Sequence, residues 1–511
     1  MKRLIWLFIT CLIVSITSPA SAQQLNEERN WRDESIYFIM IDRFHNGDRS
    51  NDYNVNTEDP YAYQGGDFQG IIDQLDYIQE MGFTAIWLTP IMKNVDGGYH
   101  GYWVEDFYDT EEHFGTIDKF KELVNEAHAR GIKVIVDFVV NHVGPNHPWL
   151  DDPEKKDWFH EEKEIINWNN QEEIEQGWIF GLPDLAQEKE EVRDYLIDVA
   201  KWWIEETDID GYRLDTVKHV PIEFWKEFSK EVKAVKDDFF LLGEVWSNDP
   251  SYIGQYEQAG IDGFVDYPLN KPLRNVFAKP DVPLTSIFDQ LAQNEQYYEE
   301  PYLMGAFLDN HDLPRFTRDI VLEKQYPGTR WKLALTYLFT GPEIPIVYYG
   351  SEIALDGGED PDNRRFMSFR VDKELIDYVS ILGQIRQNFP ALTRGTFEVL
   401  FDGNGMAVYK REYDGQTVVV AINNSSQSKS VTLTAEQLEN NKELRGVILE
   451  DLVRSKDGEY TIILDRETAE VYVLEDKTGI NYPFIITLAS VYILFIIFII
   501  IVTKRRKRKT S

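Results

Sequence analysis

Short, mostly apolar runs recur along the chain, and each ends near a polar or acidic residue. They are Ile36–Ile41, Ala85–Leu88, Lys133–Val139, Gly211–Leu214, Phe239–Gly243, Gly263–Val265, Leu303–Leu308 and Pro345–Tyr349. Between them lie segments with helical spacing of apolar positions, such as Thr116–Arg130 and Glu188–Glu206. Eight strand–helix repeats predict an α/β fold, a (β/α)8 barrel over residues 23–394. The repeat is interrupted once, after the third strand. The stretch 143–187, rich in Trp, Asn, Pro and acids, is too long for an ordinary connection and predicts a small inserted subdomain over the barrel mouth. After about Arg394 the pattern becomes one of alternating strands: Thr417–Ile422, Ser430–Leu433, Tyr460–Leu464 and Glu470–Leu474. An antiparallel β-sandwich over 395–476 is expected there.

The two ends carry a different pattern. Lys2 and Arg3 precede the apolar stretch Leu4–Ile16, and Ala20-Ser21-Ala22 follows, which predicts a secretory signal over residues 1–22. Pro483–Val502 holds no charge and is long enough to cross a bilayer as one helix. Lys504-Arg505-Arg506-Lys507-Arg508-Lys509 comes next. The positive-inside bias places the tail 503–511 in the cytoplasm and the body outside the cell.

Composition narrows the picture. The chain has 511 residues, 43% hydrophobic and 14% aromatic, so it can bury a large core. Its net charge of −36 argues against nucleic-acid binding and favours a neutral or cationic substrate. Cys11 is the single cysteine, so no intramolecular disulfide forms.

Candidate chemistry sits where the third, fourth, fifth and seventh strands end. The clusters are Asp137 with Asn141 and His142; Arg213, Asp215, Lys218 and His219; Glu244 with Trp246; and Asp309 through Asp312, including His311. A lone acid at a strand end often caps a helix, but four clusters converge on the rim where such barrels do chemistry. Glycoside hydrolysis needs two carboxylates flanking one bond, one ionised and one protonated. Arg213 and Asp215 are two residues apart, so in extended chain they point to one side, and the guanidinium favours an ionised nucleophile. Glu244, near Trp246 in an apolar run, is expected to have a raised pKa suited to a general acid. Asp312 supplies a third carboxylate, and His142 and His311 can bond sugar hydroxyls.

These clusters, in this order, resemble the α-amylase family of retaining glycoside hydrolases over about residues 34–476. The resemblance implies Asp215 as nucleophile, Glu244 as acid/base and Asp312 as transition-state stabiliser. It also implies that Arg213, His142 and His311 assist at the cleaved sugar. Tyr99-His100-Gly101-Tyr102-Trp103 matches a further family segment, in which Tyr102 would stack on the sugar ring. Calcium is the implied ion. One ion would be held by Asn141, Asp184 and the His219 carbonyl. A second would be held by Asn46, Asp48, Asn51 and Asp52, with the carbonyl of Gly65 and Asp67; an ion-free Asx-rich turn is the alternative for this loop.

Lys218-His219 after the nucleophile looks like endo-acting α-1,4 enzymes, with the pair on the leaving-group side. The expectation is a monomeric, membrane-tethered, outward-facing, calcium-dependent enzyme that cuts starch and maltodextrins with retention. Alternatives are a maltogenic or cyclodextrin-degrading relative with transglycosylation, or an inert surface-binding subunit. The presence of Asp215, Glu244 and Asp312 together speaks against the last.

Overall fold

The computed structural model describes residues 29–371, 373–477 and 482–507. The expected signal segment 1–22 with Cys11, and the last residues of the basic tail, lie outside them.

Eight short strands form one parallel sheet: β1 (Ile36–Ile39), β2 (Ala85–Leu88), β3 (Lys133–Phe138), β4 (Gly211–Leu214), β5 (Phe240–Gly243), β6 (Gly263–Phe264), β7 (Gly305–Phe307) and β8 (Ile344–Tyr348). Their order is β6-β5-β4-β3-β2-β1-β8-β7. A single parallel bridge, Val265 to Gly305, joins the two ends into a nearly closed barrel. Every residue of β1, β2 and β4 is buried, the condition of strands covered on both faces.

The closing seam is the least regular part. β6 is two residues long because Asp266 already caps the next helix, Tyr267–Phe277, accepting from the Leu269 N–H. β7 begins at Gly305, two residues later than expected, because Pro301–Leu303 forms a 3-10 turn. Gly263 and Gly305 answer the crowding here: a Cβ on Gly263 would lie 2.1 Å from the Leu303 carbonyl oxygen, and one on Gly305 2.4 Å from Ile346 Cδ1. Helices pack outside the strands. Ile117–Ala129 starts at Thr116, whose side chain accepts from the Lys119 N–H, an N-cap that matches the expected start. In Glu190–Thr207, Trp203 is buried and donates to the Phe107 carbonyl, while Trp202 packs edge-on against Tyr108.

Two irregular segments rise between barrel strands. Residues Met92–Asn94 and Val104–Thr110 form a hairpin before β3 that the apolar pattern does not reveal. Residues 143–187 contain three 3-10 turns and one helix, Gln171–Gln176, around a small cluster of Ile165, Ile174 and Ile179. Bridges His142–Asp184 and Phe159–Leu185 bring the end of this segment back to its beginning.

The C-terminal part is antiparallel, with a six-stranded sheet and a two-stranded one. The four expected strands are present as Gln416–Asn423, Lys429–Thr434, Glu459–Leu464 and Thr468–Asp476, joined by Glu398–Gly403, Met406–Tyr413, Lys442–Gly446 and Leu452–Arg454. Arg411 fixes this unit to the barrel: it is buried and donates to the carbonyls of Thr340 (2.9 Å), Gly341 (2.6 Å), Gly395 and Thr396. Beyond it, helix Tyr482–Lys507 includes Ile485–Lys504, long and apolar enough to cross a membrane by length and composition.

Candidate active site

The carboxyl ends of β3, β4 and β5 meet around one guanidinium. Arg213 Nη1 lies 2.7 Å from Asp137 Oδ1 and 2.7 Å from Asp215 Oδ1, and Nη2 lies 2.5 Å from Glu244 Oε1. All four side chains are buried. Parallel register explains Asp137, which stands directly beside Arg213 on the neighbouring strand. The Arg213–Asp215 contact realises the two-residue spacing. The Glu244 contact arises because β5 lies beside β4 and Leu214 pairs with Gly243. Removing a cation from among buried carboxylates leaves uncompensated charge, a cost of about 3–5 kcal/mol for a single buried pair.

The residue after Asp215 is strained. Thr216 has φ +46°, in the left-handed region that a β-branched residue seldom adopts. That turn lets its N–H donate to Glu244 Oε2 (3.1 Å) while its hydroxyl donates to Asp215 Oδ2 (3.1 Å). One residue thereby spans the two carboxylates. Strain of this kind costs about 1–3 kcal/mol and is retained where surrounding contacts over-determine it.

The electrostatics differ in part from expectation. Burial pushes Asp215 up, and Arg213 opposes this without reversing it, whereas the sequence suggested that the guanidinium would dominate. Glu244 is also pushed up by burial, opposed by Arg213, and further raised by repulsion from Asp215. Its surroundings are not the apolar run expected: Arg213, the Thr216 N–H and the Tyr267 hydroxyl all reach its carboxylate. Trp246 stacks instead on Tyr267, at 5.3 Å between ring centres. Asp312 is pushed to about 7, first by burial and then by Glu244, with Arg364 and Arg213 opposing. Asp137 also rises to about 7, through burial.

The remaining expected residues gather here too. Tyr102 donates to Asp137 Oδ2 (2.7 Å) and stacks one ring face on His311 at 5.0 Å. His142 and His311 are buried, and burial lowers both, His142 to about 4, so they stand as neutral rings. His142 Nε2 and His311 Nδ1 have no hydrogen-bond partner. A cleft of about 320 Å³ opens beside Glu244 and Asp312, lined also by Lys218, His219, Trp246, Trp168 and Phe180. Lys218 is aimed across it by a bond from Nζ to the Trp246 carbonyl (2.9 Å). Sequence reasoning missed Trp168 and Phe180, both strongly exposed and both inside the 143–187 segment, where no motif marks them. It also missed Arg364, which donates from Nε to the His311 carbonyl (2.9 Å) and approaches Asp312 at 3.7 Å.

The two calcium sets fit unequally. Asn141 Oδ1 and Asp184 Oδ1 are both buried without a partner, and His160 Nδ1 holds the other Asp184 oxygen at 2.6 Å. Two orphaned oxygens in a buried place suit a hard cation. In the loop, Asn46 Oδ1 and Asn51 Oδ1 are similarly orphaned. There, however, Asp67 serves the N–H groups of Gly47, Asp48 and Gly70, Asp48 caps Ser50, and Asp52 Oδ1 accepts from Asn46. Gly65 closes on the same atoms: a Cβ there would stand 2.5 Å from Asn46 Nδ2. Among the described residues no three His, Cys, Asp or Glu side chains converge as a metal group, and each set mixes carboxylate with amide and carbonyl oxygens.

A barrel whose strand ends gather three carboxylates on one arginine, beside an aromatic-lined cleft, defines a candidate glycoside-hydrolase site. Family comparison agrees: residues 38–377 match the α-amylase catalytic domain and residues 395–472 the α-amylase C-terminal domain. The chain belongs to the α-amylase family, and its barrel is a glycoside hydrolase catalytic domain. An Anoxybacillus α-amylase of known structure is 65% identical, with a TM-score of 0.88 over 89% of this chain and 100% of that one. An α-amylase from Geobacillus thermoleovorans, solved with acarbose, is 60% identical, with a TM-score of 0.86 over 88% of this chain and 100% of that one. The β/α-amylase of Paenibacillus polymyxa is 39% identical over 90% of this chain, which spans 39% of that relative's length. A cyclomaltodextrinase of Thermoanaerobacter pseudethanolicus is 34% identical over 78% of this chain and 71% of its own.

The arginine hub generates a test. Arg213→Gln is expected to lower kcat at least about a hundredfold. It should also move the acidic limb of the pH–rate profile up by about one to three units. The sign follows from the guanidinium's opposition to burial: without it, the carboxylate that must ionise keeps its proton to higher pH. Measurement of kcat/KM against pH checks this, and an unmoved acidic limb contradicts the hub.

Proposed function

We propose that the protein is an endo-acting α-amylase that cleaves α-1,4-glucosidic bonds of starch and maltodextrins with retention, at the outer cell surface. The observation that carries this reading is the attachment of Asp215 and Glu244 to the two terminal nitrogens of one buried guanidinium. In the first step an ionised Asp215 oxygen attacks the anomeric carbon, while the Glu244 proton passes to the departing glycosidic oxygen. In the second, Glu244 takes a proton from water, the hydroxide attacks the same carbon, and Asp215 is released. Burial raises both acids, and two carboxylates this close favour a state in which one of them keeps a proton, the state the first step needs. His142 and His311 would serve the hydroxyls of the cleaved sugar, His311 standing beside Tyr102 and Asp312, and Asp312, which lines the cleft, would take a hydroxyl pair.

The leaving-group side is read from Lys218, Trp168, Trp246 and Phe180 along the cleft. Exposed aromatic faces stack on pyranose rings without fixing chain length. This favours internal cuts in a long glucan. The likeness to a cyclomaltodextrinase supports a second reading, opening of cyclodextrins.

Anchoring rests on the apolar helix Tyr482–Lys507 and the basic residues that follow its span. One experiment tests location and chemistry together. Full-length protein should sediment with membranes, while a chain ending at Asp476 should stay soluble with the same specific activity on starch. Both should release the α-anomer first by NMR. A β-anomer refutes the mechanism, faster turnover of cyclodextrin than starch selects the second reading, and a folded but inactive soluble chain refutes the separation of anchor from enzyme.

Calcium, when bound, would act as a structural clamp. Asn141, Asp184 and the His219 carbonyl would hold it, tying the end of segment 143–187 to the barrel rim. Ion binding stabilises the folded state by mass action. Chelation is expected to lower the melting temperature, and added calcium, but not magnesium, to restore it. An Asp184→Asn protein with an unchanged response to chelator would contradict this assignment.

A further inference from the structure

Tyr267 has no place in the reaction as described, yet it touches the acid/base. It opens the helix after β6, is buried, and lies with its hydroxyl 3.1 Å from Glu244 Oε1. Asn310 Nδ2 lies 3.3 Å from the same hydroxyl. The direction of each bond can be deduced. Asn310 Oδ1 accepts from the backbone N–H groups of Asp312 and Leu313, at 3.0 Å each. Those two bonds fix the amide orientation, because an N–H group cannot donate to an amide nitrogen that itself carries hydrogens. The amide therefore presents Nδ2–H to Tyr267, whose oxygen accepts. The phenolic hydrogen must then go to the remaining neighbour, Glu244 Oε1.

That oxygen now has two partners, the cationic Arg213 Nη2 as an ion pair and the Tyr267 hydroxyl as a hydrogen-bond donor. Glu244 Oε2 has one, the weaker backbone N–H of Thr216. A carboxyl oxygen that pairs with a cation and also accepts a hydrogen bond is a poor place for a proton. We propose that Asn310 and Tyr267 form a directed relay that locks Glu244 Oε1 as an acceptor and leaves Oε2 as the oxygen that carries the catalytic proton. The relay has a second consequence. Asn310 also shapes the turn that carries Asp312, so placement of that loop and orientation of the acid/base share one side chain. Tyr267 is thus a positioning residue. It acts through Glu244 and rests on the reading of Glu244 as general acid.

The charged and titratable groups facing Glu244 are Arg213 and Asp215 from β4 and the turn after it, Lys218 from the same turn, Asp312 from the loop after β7, and Tyr267 itself. Only Tyr267 changes in Tyr267→Phe, which keeps the ring that stacks on Trp246 and meets Phe307 edge-on. Loss of a donor to the ionised form lets Glu244 keep its proton to higher pH. The basic limb of the kcat/KM profile should therefore move up by about half a unit to one unit. With both oxygens open to the proton, protonation of the leaving group becomes less efficient. The kcat on starch should fall about tenfold, and at least fivefold less on an aryl maltotrioside whose acidic phenol needs little protonation.

Glu244→Gln is the control for the underlying reading. It should abolish starch hydrolysis and keep the first-step burst of aryl release, with slow turnover afterwards because the base of the second step is gone, and a variant still active on starch would overturn the assignment of Glu244 itself. With that control in place, Tyr267→Phe with an unmoved basic limb, or with equal losses on both substrates, overturns the relay alone. Should Tyr267→Phe fail to fold, Asn310→Asp is read instead. Its carboxylate still accepts from Asp312 and Leu313, but it can only accept from Tyr267, turning the phenolic hydrogen away from Glu244. The same leaving-group dependence is expected, and its absence overturns the relay.

Discussion

One buried guanidinium organises this molecule's chemistry. Arg213 is the common partner of Asp137, Asp215 and Glu244, all removed from water. Three carboxylates so close would repel one another or neutralise by taking up protons. The arginine opposes both by offering two nitrogens in a rigid plane, Nη1 to Asp137 and Asp215 and Nη2 to Glu244, a geometry that an ammonium on a flexible stem cannot reproduce. It leaves a charge excess on the acid side, and that excess is what lets one carboxyl retain a proton while its neighbour stays ionised.

The barrel exists, for this purpose, to bring Arg213 and its partners into register. Parallel pairing sets Asp137 beside Arg213 and Leu214 beside Gly243, and the chain then needs only one further residue to deliver Glu244. The left-handed Thr216 completes the arrangement by spanning Asp215 and Glu244. Farther out the structure is looser: segment 143–187 has little regular structure and its own three-residue apolar cluster, and it contributes Trp168 and Phe180 to the cleft. Rigid elements hold the carboxylates and irregular ones line the cleft, a division common where loops carry specificity.

Much of this was legible in the sequence, for reasons that can be named. The barrel strands announce themselves as short apolar runs, and Asp137, Arg213, Asp215, Glu244 and Asp312 stand where those runs stop. The hairpin at Met92–Thr110 escaped notice because Val104–Thr110 is largely polar. Strands Glu398–Gly403 and Met406–Tyr413 mix charged and apolar residues in ways that blur alternation. The Arg213–Glu244 contact was hidden because it depends on register between strands 29 positions apart in the chain. Tyr267 gave no signal, since a tyrosine opening a helix is ordinary in isolation, and Asn310 stood inside the Asp309–Asp312 cluster without any role of its own being legible. The net rise of Asp215 was missed because spacing reveals a nearby cation and says nothing of how deeply the pair is buried.

The central claim is that Asp215 is the carboxylate that Arg213 holds ready to attack. Covalent trapping tests it most directly. A fluorosugar substrate with a good leaving group, which glycosylates a retaining enzyme faster than water releases it, is incubated with the protein and the digest is mapped by mass spectrometry. The account predicts one glycosyl adduct, on the peptide that contains Asp215, lost in Asp215→Asn and longer-lived in Glu244→Gln. An adduct on Glu244 or Asp312, or turnover with no adduct and a β-configured product, would contradict it.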